Sequence, residues 1–161
     1  MSDHIATVSK KCHGLLGVLR RAAIYLPPEL LTLAYISLIR SQLEYNSATF
    51  FMAAPTHLKK LDIIQKIASR IITSSPPGTH STPLQVSLGL EPLVERRRNH
   101  IAKLVDAINT GLSHPFFENC FSLVVDPTLS FVTKSVKSLD RKRFCHFAAK
   151  VYLEVSKKEC T

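Results

Sequence analysis

The chain contains only five glycines. None stands in a GxxxxGK(S/T) or GxGxxG arrangement, so the loops that cradle nucleotide phosphates are absent. Cysteine is as sparse: Cys12, Cys120, Cys145 and Cys160 lie far apart with no CxxC pair. That spacing excludes a disulfide framework and indicates reduced thiols in an intracellular protein. Long apolar runs are missing too. The most apolar stretch, Leu30 to Ile39, is too short to span a bilayer, and the opening MSDHIATVSKK lacks the apolar centre of a secretory signal. The sequence therefore predicts a cytoplasmic or nuclear protein, not secreted, with no membrane partner.

Acid is the scarcer charge. Twelve Asp and Glu face 21 Lys and Arg, a formal net charge of +9. Asp3, Asp62, Asp106, Asp126 and Asp140 are scattered, and no two acids are adjacent, whereas metal-dependent nucleotidyl transfer or glycoside hydrolysis needs carboxylates placed together. Glu91 and Glu95 are four apart but flank a helix start, where acids suit the macrodipole in any case. Cys12-His13 and Cys145-His146, with Cys120, are the nearest approach to a metal set. Neighbours on a helix point about 100° apart and cannot readily chelate one ion; Cys12 moreover lies on an apolar stripe. No GxSxG elbow occurs. The residues alone predict no enzyme, no metal and no small-molecule substrate.

What the chain does have is apolar content, 45% of its 161 residues, enough for a folded core, and positive charge that favours a polyanionic partner. The excess is spread evenly, +5 over residues 1–72 and +4 over 73–161, so a binding surface must be folded rather than a tail. Helical periodicity dominates. Ile5, Val8, Cys12, Leu15, Leu16, Leu19, Ala22 and Ala23 form one stripe capped by Ser2 or Asp3. Pro27 and Pro28 open a second helix to about Leu43, apolar on nearly every side and so expected at the centre, covered all round. Pro55 and Thr56, with Thr56 as N-cap, start a third, striped by Leu58, Leu61, Ile64, Ala68, Ile71 and Ile72.

SSPPGTHST, residues 74–82, is a loop. Thr82 and Pro83 start a short helix that Gly89 ends. Pro92 opens another, with Leu93, Ile101, Leu104, Val105 and Ile108 on one face and Gly111 at its C′ position. Around 121–136 either a short strand or an irregular segment fits, and a last helix is expected over about 141–156. The prediction is an all-α bundle of five or six helices: a three-helix region 1–73, the loop 74–82, connecting helices 83–112 and a C-terminal extension 113–161.

Basic stripes are the remaining signal. Lys10, Gly14, Gly17 and Arg21 share the face opposite the first helix's apolar stripe. Two readings stand: the glycines let a phosphate backbone approach the helix closely, or they serve an ordinary solvated face or a close helix crossing. Lys59, Lys66 and Arg70 align on the third helix as further candidates for nucleic-acid contact, although Asp62 can pair with Lys66, as on a solvated face. Arg97 of the Arg96-Arg97-Arg98 run projects onto the apolar face and so needs a partner, Glu44 being one; that assigns Glu44 and Arg97 to structure and leaves Arg96 and Arg98 for a ligand.

HIATVSKKCHGLLGVLRR, LPPELLTLAYISLIRSQLEYNSATF, LKKLDIIQKIASRII and PLQVSLGLEPLVERRR, in that order and spacing, resemble the segment after the palm in LINE-type, jockey-like non-LTR retrotransposon reverse transcriptases. Tyr35, Ser37, Leu38, Ile39, Arg40, Leu43, Glu44, Tyr45 and Ser47 match the family's Y-x-S-L-I/V-R-P-x-L-E-Y helix. Gln65, Arg70 and Ile71 match its L-x-x-I-Q-x-x-A-x-R-x-I helix, and Leu88, Leu93, Arg96 and Arg97 its L-x-x-L-x-L-x-x-L-x-x-R-R pair. DRKRFCHFAAKVYLEV is similar, more loosely, to the end of related elements. Ser41 stands where the family has proline, and Phe50 or Phe51 where it has tryptophan, the marks of a divergent copy.

The resemblance covers most of the chain, most strongly residues 4–98. It implies a thumb and post-thumb connection, with fingers and palm, the F/Y-x-D-D turn and its Mg²⁺ belonging upstream of Met1. It thus implies a non-catalytic part of an RNA-directed DNA polymerase. Such a part grips the RNA–DNA template–primer duplex through its backbone and rests against the polymerase palm, and this favours the phosphate reading of Lys10, Gly14, Gly17 and Arg21. The rival is an orphaned helical module for protein interaction, or a remnant without function.

Overall fold

The computed structural model describes residues 2–45, 47, 50, 53–112, 148, 151 and 152. Among these there is no strand, and the fold class is all-α, with five helical rods. Two units divide the chain, Met1–Arg96 and Arg97–Thr161.

In the first unit, α1 (Ser2–Ala22) buries Ile5, Cys12, Leu16 and Leu19 and half-buries Val8, Leu15, Ala22 and Ala23, the stripe its spacing predicts. The second rod runs over 28–44 as α2 (Pro28–Ala34), a π-helical stretch (Tyr35–Arg40) and α3 (Ser41–Glu44). Its buried residues are Leu31, Tyr35, Ile39 and Leu43, each four after the last. In a pure α-helix that interval drifts about 40° per step; the wider i→i+5 turn takes up the drift and keeps Tyr35, Ile39 and Leu43 on the core side. Ser37 donates back to Leu33 O (2.9 Å) and Ser41 to Ser37 O (2.6 Å), hydroxyl contacts of the kind that loosen a helical ladder.

This rod is not covered all round. Leu30, Leu33 and Leu38 are about half exposed (49%, 60% and 52%), because α1 and α4 (Pro55–Ile72) pack on one side of it only. α4 starts with Pro55 in its first turn and Ala54 as N-cap, one residue earlier than a Thr56 cap would place it, since proline's missing N–H costs nothing there. Leu61, Ile64, Ala68 and Ile72 are buried, joined by the polar Gln65 and Ser69. At about 2 kcal/mol for each fully buried Ile or Leu side chain, this shared core is the main source of stability.

Contacts between the rods fix their directions. His4 lies against Phe50, ring centroids 6.2 Å apart, and Lys11 Nζ donates to Gln42 Oε1 at 3.0 Å. Residues of the last turns of α1 and α4 face one another across a cleft. The bundle is therefore up-down-up, with α1 and α4 parallel neighbours and the 28–44 rod antiparallel to both.

α4 ends in a Schellman arrangement: Ser75 N–H bonds Arg70 O (2.9 Å), Ser74 N–H bonds Ile71 O (3.2 Å), and Ser74 takes φ +51°. α5 (Ser81–Ser87) begins with Ser81, earlier than Thr82 and Pro83 suggest, with His80 as N-cap, and packs on α4. It closes the same way through Gly89, with Leu90 N–H on Gln85 O at 2.8 Å. α6 (Leu93–Asn109) follows.

The second unit starts within α6. Arg97, Ile101, Ala102 and Val105 are buried there, and Gly111 (φ +69°) supplies the end, with Leu112 N–H on Ala107 O at 2.9 Å. Ala148, Val151 and Tyr152 are helical, the first two buried, inside the range predicted for the last helix. The rest of that helix and the strand-or-irregular segment at 121–136 lie outside the described residues.

Candidate nucleic-acid interface

The face of α1 opposite its buried stripe carries Lys10, Gly14, Gly17 and Arg21. Lys10, Gly14 and Arg21 are exposed and Gly17 is half-buried. A Cβ added at Gly14 or at Gly17 would meet nothing within 4 Å among the described residues, so no described helix crosses closely there. Neither Lys10 nor Arg21 enters an ion pair among the described residues. The row sets two bare glycine positions, about 4.5 Å apart along the axis, between two cations about 16 Å apart.

On the parallel α4, which packs beside α1, Lys59 and Lys66 are exposed. Arg70 is half-buried and already engaged: its Nε donates to Thr79 O at 2.9 Å, tying the 74–80 loop to the helix end. Its Nη1 and Nη2 remain for another acceptor.

The arginine run divides differently from the expectation. Arg96, left for a ligand on sequence grounds, closes on both oxygens of Glu44. Its Nε donates to Oε1 and its Nη2 to Oε2 at 3.0 Å, while Nη1 stands 3.6 Å from Glu91. Arg40 Nε lies 3.9 Å from the same Glu44 Oε1. The hydrogen bond to Glu44 pushes the guanidinium's pKa up, against the opposing effect of burial, so Arg96 is held charged as a brace between the 28–44 rod and the start of α6. Glu44, expected to partner Arg97, instead accepts from Arg96. Arg97, 7% exposed, and the half-buried Arg98 open the second unit.

Beside this brace lies a polar relay that residue spacing does not reveal. Tyr35 Oη donates to Gln65 Oε1 at 3.1 Å, and Gln65 Nε2 donates to Glu91 O at 2.9 Å. Both side chains are at most 2% exposed. Burial pushes the Tyr35 pKa up strongly, keeping the phenol a donor. Burial likewise pushes the Cys12 thiol up, Lys11 opposing it. These residues sit in the core and face no ligand; their effect is to set the 28–44 rod, α4 and the α5–α6 connection in register.

Among the described residues no group of three or more His, Cys, Asp or Glu could hold a metal ion, and no helix is long and apolar enough to cross a membrane. Comparison with protein families, with curated proteins and with solved structures finds no match.

Proposed function

We propose that this chain binds the backbone of duplex nucleic acid and acts as the non-catalytic thumb and post-thumb part of a LINE-type, jockey-like non-LTR retrotransposon reverse transcriptase. The observation that carries the reading is the open row Lys10–Gly14–Gly17–Arg21. Two cations flank bare glycine positions with room for a phosphodiester chain, and the neighbouring helix carries the exposed Lys59 and Lys66. The four sequence blocks supply the polymerase context. In a complete enzyme the palm, with its Mg²⁺ ions, performs nucleotidyl transfer while this part holds the RNA–DNA hybrid. No cofactor is assigned to this chain.

Contacts of this kind are independent of sequence and sensitive to salt. The test is binding of the purified chain to a labelled RNA–DNA hybrid over a salt series. The reading expects a log–log slope that becomes shallower by about 0.9 for each phosphate no longer neutralised, hence by about 1.8 in Lys10→Glu/Arg21→Glu. Binding indifferent to salt and to the double variant refutes it. Primer extension by this chain with Mg²⁺ and nucleotides refutes its non-catalytic part.

A second reading rests on the half-exposed Leu30, Leu33 and Leu38: a helical module that presents an apolar face to a protein partner. It predicts that polar substitution of these leucines, and not of Lys10 and Arg21, abolishes the chain's association with other proteins.

A further inference from the structure

The last turns of α1 and α4, with the loop over 74–78, enclose a cleft of about 580 Å³, within the range of small-ligand pockets. Its floor is apolar, formed by Ala23, Ile24, Ile67 and Ile71, and its charged groups are Arg20 and Arg70. No acid lines it. Arg20 is exposed, and Arg70 is already oriented by the bond from its Nε to Thr79 O, so its two terminal nitrogens are presented without further ordering.

Two helix C-termini meet here, and their negative ends would by themselves repel an anion. Each carries about half a charge, so two guanidinium groups outweigh them. The terminal carbonyls are also engaged: Ala22 O accepts from Tyr25 and Leu26, Ile71 O from Ser74, and Arg70 O from Ser75. What faces the cleft is aliphatic surface from both helix ends with one guanidinium from each, Arg20 and Arg70.

We infer that this cleft holds one nucleotide of an unpaired strand, its phosphate on Arg20 and Arg70 and its base against Ile67 and Ile71. The inference rests on the nucleic-acid reading for its choice of ligand. Arg21, next in the chain to Arg20, ends the Lys10 row, so the cleft opens about 100° around α1 from the end of that row.

Adenosine 5′-monophosphate and inorganic phosphate, each titrated into the full chain with isoleucine methyl NMR as readout, test the cleft separately from duplex binding. The expectation is that adenosine monophosphate shifts the Ile67 and Ile71 methyls and binds about tenfold more tightly than phosphate, base contact supplying the difference. Arg20→Gln and Ala23→Phe, the first removing charge and the second filling the floor, should each weaken it about tenfold while leaving hybrid binding by Lys10 and Arg21 in place. Methyls unmoved at 10 mM (~10,000-fold above a 1 μM dissociation constant) overturn the inference, whatever the hybrid does. Equal affinity for phosphate and for the nucleotide overturns it as well. So does a short peptide of alternating Asp and Leu that shifts the same methyls at lower concentration, since the cleft would then take a protein segment. Loss of hybrid binding in Lys10→Glu/Arg21→Glu with intact nucleotide shifts separates the two sites.

Discussion

Arg96 and Glu44, 52 residues apart, form a two-point ion pair in which both carboxylate oxygens accept from one guanidinium. The side chains are 24% and 14% exposed, so neither charge is fully hydrated when its partner is removed. Glu44→Ala or Arg96→Ala should each cost about 2–3 kcal/mol, since either leaves a desolvated charge behind. The double variant should cost less than the sum by about 1–2 kcal/mol. Urea unfolding of the four proteins measures this; full additivity would show that the two groups do not act together. Arg96→Ala should leave the salt dependence of hybrid binding unchanged, because that guanidinium is already committed.

Tyr35→Phe removes the donor to a buried amide and should cost about 1–3 kcal/mol at neutral pH. The phenol also sets an alkaline limit. Below its unfolded pKa of about 10 the group is neutral in both states and its contribution is fully present. Above that pH the unfolded chain releases a proton that the folded chain retains, the folded pKa being raised by burial. Stability should then fall by up to about 1.4 kcal/mol per pH unit for this one group. Denaturation midpoints followed from pH 8 to 11 should decline more steeply in the parent chain than in Tyr35→Phe; parallel curves would remove Tyr35 as the cause.

Ser74 holds φ +51° at the end of α4, a conformation costing a residue with a Cβ about 1–2 kcal/mol. Ser74→Gly should therefore stabilise the chain by about 1 kcal/mol, raising its melting temperature by a few degrees. An unchanged or lowered melting temperature would mean that the serine hydroxyl offsets its own backbone strain.

These positions show which parts of the fold were legible from residue type. Apolar spacing located Ile5, Cys12, Leu16 and Leu19 on α1 and Leu61, Ile64, Ala68 and Ile72 on α4, because burial follows helical period directly. Gly89 and Gly111 announced helix ends, whereas Ser74 does the same without the signal glycine gives. The four-residue interval from Leu31 to Leu43 looked like a helix apolar on every side; in the structure it is a one-sided stripe straightened by a π-helical stretch. Projection set Arg97 on the apolar face of α6, and Arg97 is buried. One helix's period says nothing, however, about where Glu44 lies, 52 residues before Arg96, and Glu44 is bonded by Arg96. The lysine–glycine row was visible because one helix contains it. The cleft beside Arg20 was not, because it exists only where a loop folds across two helix ends far apart in sequence.

The two glycines of α1 set stability and binding against each other, which makes them the most informative pair to change. Glycine within a helix costs about 1 kcal/mol relative to alanine, and an added Cβ at Gly14 or Gly17 meets nothing within 4 Å. Gly14→Ala/Gly17→Ala should therefore stabilise the chain by about 1–2 kcal/mol. If these bare positions are where a phosphodiester chain lies, the same two methyl groups hold it away from the helix, and hybrid affinity should fall several-fold although no charge has changed. Melting curves and hybrid titration on the same preparation read both effects. A variant that is more stable and binds as well as the parent would assign the glycines to no contact at all, leaving Lys10 and Arg21 to act as two separate surface charges.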